Sequence, residues 1–438
     1  MQMGQPNVLI VLMDTMRVDA IRPYNDRVFT PYTEKFALDS VVYDAVVPSP
    51  WTLPSHVSLF TGKYPSEHKV HESFETKVNE LTLKLNRGDI PLNSPVLAEY
   101  LRQRGYNTIG ISANGIVSSF TRMDTGFNIF IDITEKDETL KEATAYGRTK
   151  SQMIWNLIKK GEIRKLIDLY KASKERIRIT TNYPIDKGGN WITWFLERSS
   201  IETPFFIFIN FMEMHDPYPS DNKYIPHIFH LNDLFGIKKI SDRLMRKIRK
   251  EYFDQSKMAD LYFGRVLQAI KDVYDDTLII LTSDHGQALK EKNYYGHGLY
   301  LYDEIVKIPM IVKYPKGIKP KKDGLVSLTG VFDTIKLALE GEYKFKSEEF
   351  EISEAYGIVE PLDRINVNEE TRKSYDVPRK AVFKDDYKLV VNGSNGMIEE
   401  FTYKGKPLDI KNKAIEDLLS YLYIYKGNEK FVLPSAIT

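Results

Sequence analysis

There is no cysteine anywhere in the 438 residues of this chain. That absence removes disulfides, thiol nucleophiles, cysteine–zinc sites and iron–sulfur clusters in one step. Charge of one sign is missing too: 61 Lys and Arg stand against 60 Asp and Glu, a formal net charge of +1. A chain so balanced is no strongly basic nucleic-acid binder and casts no global field to steer anionic partners. Apolar runs such as Val8–Met13 and Phe205–Ile209 fall far short of the ~20 residues of a membrane-spanning helix. No basic stretch precedes the first of these runs, which stops at Asp14, so neither a signal peptide nor an anchor is expected. The expected compartment is the cytoplasm. With 42% hydrophobic and 28% charged residues and no low-complexity block or repeat, the composition is that of an ordinary globular protein.

The length suits one large domain and a smaller one, at ~100–200 residues per domain. Four short, branched-rich apolar runs read as buried strands: Asn7–Met13, Thr108–Ser112, Pro204–Phe211 and Thr277–Thr282. Helices are expected between them. Thr30-Pro31 and Ser94-Pro95 supply N-cap and first-turn signals, Gly105 a stop, and Asn190–Arg198 and Gln255–Lys271 have helical character. Strands alternating with helices imply a largely parallel sheet covered on both faces. Ser151–Arg178 is a basic helical segment that reads as the solvated face of an insertion at about 150–185, or, on the sharper reading, a phosphate-rich or membrane-surface contact. After Lys316 the texture changes. A Pro-, Gly- and Lys-rich linker leads through a helix at Thr329–Leu339 to short strand-like segments at Ile352–Tyr356, Lys380–Phe383, Tyr387–Val391 and Glu399–Tyr403, and then to a terminal helix at Ile410–Leu422. This predicts two units, 1–325 and a small C-terminal α+β subdomain at 326–438.

Chemistry collects just after the buried strands, where open α/β sheets hold their ligands. The first strand runs into Asp14, with Arg17 and Asp19 behind it, and the second leads to Asn114. The third leads to Glu213, His215 and Asp216, the fourth to Asp284 and His285. Acids and imidazoles from distant parts of the chain therefore meet at one sheet edge. A second signal is the segment from Trp51 to Gly62, where Pro54 suits the first turn of a helix that Gly62 ends. Thr52 then stands at the helix N-terminus, where free N–H groups favour an anion. Its hydroxyl is either a cap or, beside a bound metal, a nucleophile for a phosphorus or sulfur centre.

Taken together, Asn7–Arg17, Trp51–Pro65, Ser283–Gly286 and Gly296–Val312 resemble the sulfatase branch of the alkaline phosphatase superfamily. Gly105-Tyr106 leading to Gly126-Phe127, Met212–Tyr218 and Arg379–Val391 fit the same pattern, which runs through nearly the whole chain in the expected order. The resemblance implies a three-layer α/β sandwich with a mainly parallel central sheet and a small C-terminal α+β subdomain. It implies a metal held by Asp14, Asp284 and His285, with Thr52 in the nucleophile slot and as a further ligand. His297 matches the slot of the group that grips the ester or protonates its leaving oxygen. His215 matches the histidine of the third-strand motif, a substrate contact, although Glu213–Asp216 also has the makings of part of a second metal site. Asn114 lies near a substrate-binding segment of the family, and His56 replaces the arginine that sulfatases carry beside their nucleophile. His56 is thus a substrate contact or a packed helix residue.

Three departures from the family decide the expected chemistry: Thr52, Thr15 and the absence of the full two-zinc ligand set of the superfamily's phosphatases. The last leaves one ion, suited to a monoanionic phosphodiester, phosphonate monoester or sulfate ester. Working sulfatases oxidise a Cys or Ser in the nucleophile slot to formylglycine. Threonine would give a ketone instead, so formylglycine cannot form at Thr52. A sulfated threonine lacks the geminal hydroxyl that expels sulfate, whereas a phosphothreonine can be opened at phosphorus by water or an alcohol. Thr15 stands where typical sulfatases have a second Asp, leaving fewer hard carboxylates and one imidazole. Calcium takes six to eight oxygens, while Zn²⁺ and Mn²⁺ accept His with carboxylates, so a single Zn²⁺ or Mn²⁺ is expected over Ca²⁺. The expected enzyme is a metal-dependent hydrolase or transferase that cleaves phosphate-type esters, phosphodiesters or phosphonate monoesters foremost, on a small-molecule, glycan- or lipid-linked anionic substrate. A transferase moving a phosphoryl-linked group onto a glycan or lipid precursor is also open. The alternatives are a sulfuric ester hydrolase working without formylglycine and an inactive anion-binding scaffold. Oligomeric state is not legible.

Overall fold

The structure, a computed structural model, describes residues 5–71, 96–133, 186–220, 223–224, 229–359, 367–424 and 431–434. The basic segment Ser151–Arg178, the Ser94-Pro95 helix start and His227 lie outside the described residues.

Eight strands build the large sheet: β1 (Asn7–Met13), β2 (Val41–Val46), β3 (Asn107–Ser112), β4 (Ile129–Asp132), β5 (Phe205–Phe211), β6 (Thr277–Thr282), β7 (Lys307–Lys313) and β8 (Val326–Ser327). They lie in the order β8-β2-β7-β6-β1-β5-β3-β4. Pairing is parallel from β6 through β4, and only β7 runs against its neighbours. The four runs expected to be strands are β1, β3, β5 and β6, adjacent in the centre of the sheet. Strands buried on both faces are apolar throughout rather than alternating, which is why they stand out in the sequence. β2, β4 and β8 lie towards the edges, are more mixed in character and are not picked out by that signal.

Alternation along each strand sorts the core into two layers. Val8, Ile10, Leu12, Phe206 and Phe208 pack under helices α2 (Thr52–Thr61), α3 (Leu97–Arg102) and α6 (Gly330–Leu339). Leu9, Val11, Phe205, Ile207 and Ile209 face the opposite layer, with Phe36 of α1 (Pro31–Leu38), Trp191 and Ile192 of α4 (Gly189–Arg198), and Met245, Ile248, Tyr252 and Phe263 of α5 (Asp242–Ala269). The α5 helix begins well ahead of the expected Gln255. Its N-terminal half is highly charged, yet Met245, Ile248 and Tyr252 recur at helical spacing on its buried face. Ser241 caps it, accepting from the Leu244 amide.

Beyond the linker the chain returns to the large sheet as β8 and covers it with α6, whose Val331, Phe332 and Ile335 share a core with α2. The expected division at 325/326 thus falls just ahead of residues that pack with the large sheet. A second, antiparallel sheet follows: β9 (Glu351–Tyr356), β10 (Pro378–Lys384), β11 (Tyr387–Asn392), β12 (Ile398–Tyr403) and β13 (Lys406–Pro407), in chain order. Helix α7 (Ala414–Ile424) lays Ile415, Leu418, Leu419 and Leu422 on Ile352, Val382, Leu389 and Val391. Among the described residues, no helix is long and apolar enough to cross a membrane.

Candidate active site

The carboxyl ends of β6, β1, β5 and β3 lie side by side, and the residues that follow them assemble the site. Asp14, Asp284 and His285 are fully buried, and each offers a ligand atom within 4.8 Å of the other two. They form the only such cluster of His and carboxylate groups among the described residues. Glu213, His215 and Asp216 do not form a second one. His285 Nδ1 donates to the Gly286 carbonyl at 2.9 Å, which turns the Nε2 lone pair towards Asp284 Oδ2 (3.4 Å) and Asp14 Oδ1 (3.9 Å). Asp14 Oδ2 and Asp284 Oδ1 are satisfied by the Asn114 amide (2.7 Å) and the Thr15 and His285 backbone N–H groups (3.2 and 2.9 Å). The other oxygens, Asp14 Oδ1 and Asp284 Oδ2, are buried without a hydrogen-bond partner among the described residues.

Thr15 reaches Asp284 by adopting a left-handed backbone, φ 61°, which is strained for a β-branched residue. Its carbonyl accepts from Tyr252 Oη at 2.8 Å, so α5 anchors the bend. Arg17 and Asp19 brace the same loop. The Arg17 guanidinium holds Asp19 at 2.7 Å, Glu291 at 3.0 Å and the Gln287 carbonyl at 3.0 Å.

Electrostatics at this edge reflect burial. Asp14 is pushed up to about 6 by desolvation and by repulsion from Asp284. Desolvation raises Asp284 to about 7 and lowers His285 to about 4. Two carboxyls held above their usual range, each with an orphan oxygen beside a neutral imidazole lone pair, fit a divalent cation.

Thr52 is the first residue of α2, with extended Trp51 as N-cap. The helix ends at Gly62, whose left-handed φ of 70° lets its N–H close on the Ser58 carbonyl at 2.8 Å. Thr52 is buried, and its Oγ1 lies 3.3 Å from His285 Nε2. One turn on, His56 is also buried, its Nδ1 bonded to the Thr52 carbonyl at 2.8 Å and its Nε2 to the Asn210 amide at 3.1 Å. Both ring nitrogens are thus engaged by protein atoms.

Two more histidines stand beside His285. His297 lies with its ring centroid 4.3 Å from that of His285, and 5.3 Å from that of His215. Its Nδ1 donates to Gln287 Oε1 at 2.6 Å. His215 Nδ1 meets Asp216 Oδ1 at 2.8 Å. Burial pulls His215 down, but Asp216 and Asp14 outweigh it and hold the ring protonated, up at about 9. Lys187 donates to the His215 and Glu213 carbonyls, and burial lowers it to about 8. Glu213 accepts from the Lys187 and Gly189 backbone N–H groups at the start of α4, and desolvation with Asp186 nearby raises it to about 7. His68 is buried away from the site, bonded to Ser58 Oγ at 3.0 Å, while His71 stacks on Tyr356.

The structure thus brings Asp14, Thr52, Asn114, Asp284 and His285 into one cluster, with His215 and His297 at its side. Asn114 contacts a candidate metal ligand directly. Sequence reading missed Lys187, Asn210 and Gln287. Asn210 carried a signal, a lone amide inside the otherwise apolar Phe-Phe-Ile-Phe-Ile-Asn-Phe strand. Lys187 and Gln287 carried none.

The family model described as Sulfatase matches residues 6–340. A curated sulfatase from Formosa agariphila is 26% identical over 387 residues, covering 78% of this chain and 70% of that protein. A solved 2-O GAG sulfatase superposes with a TM-score of 0.64 at 16% identity, covering 97% of this chain and 91% of the other. The phosphonate monoester hydrolase of Agrobacterium radiobacter superposes with a TM-score of 0.60, also at 16% identity, covering 96% and 94%.

Proposed function

The chain belongs to the sulfatase family of ester hydrolases, and from that premise we propose that it is a metal-dependent enzyme cleaving phosphate-type esters, phosphodiesters or phosphonate monoesters, through a covalent Thr52 intermediate. The observation that carries this reading is the place of Thr52: a residue that cannot become formylglycine stands buried at a helix N-terminus with its hydroxyl 3.3 Å from His285 Nε2. Asp14, Asp284, His285 and Thr52 would hold one divalent ion, Zn²⁺ or Mn²⁺. When bound, that ion supplies charge neutralisation to the ester's non-bridging oxygens and acidifies a nearby hydroxyl.

The chain's own groups do the rest. Thr52 Oγ1 gives up its proton to solvent and forms the new bond to phosphorus as the ester oxygen leaves from the opposite side. His215, kept protonated by Asp216, donates to that oxygen, and His297, oriented by Gln287, contacts the transferred group. Asn114 fixes the Asp14 carboxylate from the sheet side. Water then attacks the phosphorus, losing a proton to the now neutral His215, and the Thr52–phosphorus bond breaks to release Thr52 Oγ1, which regains a proton from solvent.

A second reading, direct hydrolysis of sulfuric esters, is favoured by the curated relative being a sulfatase. The two separate in one assay: turnover of p-nitrophenyl phosphate, bis-p-nitrophenyl phosphate, p-nitrophenyl phenylphosphonate and p-nitrophenyl sulfate by one preparation, with Mn²⁺, Zn²⁺ or Ca²⁺. The proposal expects the phosphorus diester and phosphonate to turn over fastest with Zn²⁺ or Mn²⁺. A preparation that turns over only the sulfate ester, with Ca²⁺ preferred, contradicts it.

A further inference from the structure

The contacts of His56 point to a function other than touching substrate. Strand β5 presents Phe206, Phe208 and then Asn210 to the layer that holds α2. Along α2, His56 and Phe60 are one turn apart and both pack edge-on against Phe208, with ring centroids 5.9 and 4.9 Å away. The geometry brings the His56 ring down onto Asn210 while its other edge faces the start of its own helix.

Donor logic then fixes the ring. The Thr52 carbonyl has only lone pairs to offer, so His56 Nδ1 carries the hydrogen in the 2.8 Å contact. In the neutral ring Nε2 is then an acceptor, and Asn210 meets it with its Nδ2 hydrogens at 3.1 Å. Asn210 Oδ1 is left buried without a hydrogen-bond partner among the described residues. Such an orphan costs free energy, and the amide keeps this orientation because turning it over would set oxygen against a nitrogen lone pair. His56 Nδ1 also lies 3.7 Å from Asp284 Oδ2. One N–H therefore sits between the backbone of the nucleophile and a candidate metal ligand.

We propose that Asn210 and His56 are positioning residues: the Asn210 amide fixes the His56 imidazole with its hydrogen on Nδ1, and that hydrogen, bonded to the Thr52 carbonyl, holds the first turn of α2 beside the Asp284 loop so that Thr52 Oγ1 stays against His285. The inference rests on Thr52 being the nucleophile. It reassigns His56 from the substrate to the scaffold, and makes an amide on a central strand part of the nucleophile's support.

Side chains of different reach separate the two hydrogen bonds. In His56→Asn the Nδ2 group takes the place of the ring Nδ1 and keeps the Thr52 bond. In His56→Gln the amide reaches Asn210 instead, and His56→Leu makes neither bond. With p-nitrophenyl phenylphosphonate and Mn²⁺, His56→Leu and His56→Gln are expected to lose about 10²-fold in kcat with KM changed by less than about twofold, while His56→Asn stays within about tenfold of native. Bound metal, measured by elemental analysis, should be unchanged, and melting curves establish that each variant is folded. Independently of turnover, long-range ¹H–¹⁵N spectra of the metal-free native protein should show His56 as the Nδ1–H tautomer. An Nε2–H tautomer overturns the proposal. So does native kcat in the Leu and Gln variants, an equal loss in the Asn variant, or a rise in KM at constant kcat, which would return His56 to the substrate. Thr52→Ala is the control: if it keeps native turnover, the nucleophile reading fails by itself. If it is dead while the Leu and Gln variants are fully active, only the positioning role fails.

Discussion

At the carboxyl edge of the large sheet, Asp14 and Asp284 are fully buried, and each keeps one oxygen without a hydrogen-bond partner among the described residues. Where the antiparallel sheet joins the loop after β2, Glu354 is just as buried but is answered from within. Its Oε2 takes the Ser66 N–H at 2.7 Å, its Oε1 has no hydrogen bond among the described residues but is ion-paired with the Lys380 ammonium at 2.8 Å, and its own N–H bonds the Pro48 carbonyl. Glu351, three residues earlier, takes the Tyr64 hydroxyl at 2.8 Å. Burying a carboxylate is costly in either place. At the joint the chain supplies the compensating cation and donors, and the result is structure. At the sheet edge no lysine or arginine among the described residues is paired with the two carboxyls and one oxygen of each is left over, an arrangement that fits a divalent cation.

That contrast is open to direct attack, and the largest effect is expected at the sheet edge. Thr52→Ala should lower kcat on p-nitrophenyl phenylphosphonate by on the order of 10⁶-fold, the scale of losing a nucleophile, with the melting temperature nearly unchanged. At the joint the roles reverse. Lys380→Met strands the Glu354 carboxylate and should cost about 3–5 kcal/mol in urea unfolding with little change in kcat. Should Lys380→Met prove neutral, the joint is not the self-compensated pair described here.

Next in size is a trade between stability and metal. Asp14 at about 6 and Asp284 at about 7 sit above their ordinary 3.8, so the folded metal-free chain holds protons that the unfolded chain has released. Their contribution is fully present below pH 3.8 and is lost as pH rises through 6 to 7. Calorimetry of metal-free protein at pH 8 should therefore find Asp284→Asn more stable than native, with the gap closing by pH 5. Added Mn²⁺ or Zn²⁺ should raise the native melting temperature, most at the higher pH, and leave the variant unmoved.

The smallest effect belongs to Glu351. Burial raises it to about 8 against an ordinary 4.5, so its contribution declines as pH climbs between those values. Glu351→Gln should flatten the pH dependence of stability in that window while leaving turnover intact, as urea titrations at pH 5 and 8 would read. An unchanged slope would mean that Glu351 titrates normally.

What was legible in the sequence follows from how strands and ligands are encoded. The central strands β1, β5 and β6 are apolar runs, so their places and the acids at their ends could be read residue by residue. Asp14, Asp284 and His285 follow those runs within three residues, and the structure clusters them. Strands β2 and β8 lie at one margin of the sheet, and β7 runs against its neighbours without the flanking helices of a parallel unit. Position beside the β4–β3 edge or on α5 likewise leaves only mixed patterns. The supporting residues were hidden for another reason. Asn210, Gln287 and Lys187 act on groups 154, 10 and 28 positions away in sequence. No local spacing encodes such contacts. Asn210 left a trace only because a lone amide is out of place in a buried strand.

The most direct test of the central claim is mass spectrometry of protein quenched in acid during turnover of p-nitrophenyl phenylphosphonate with Mn²⁺. The account predicts a phenylphosphonyl adduct on the peptide containing Thr52, absent from Thr52→Ala. Turnover with no adduct in the steady state or in a rapid-quench burst, or an adduct on a different residue, would contradict it.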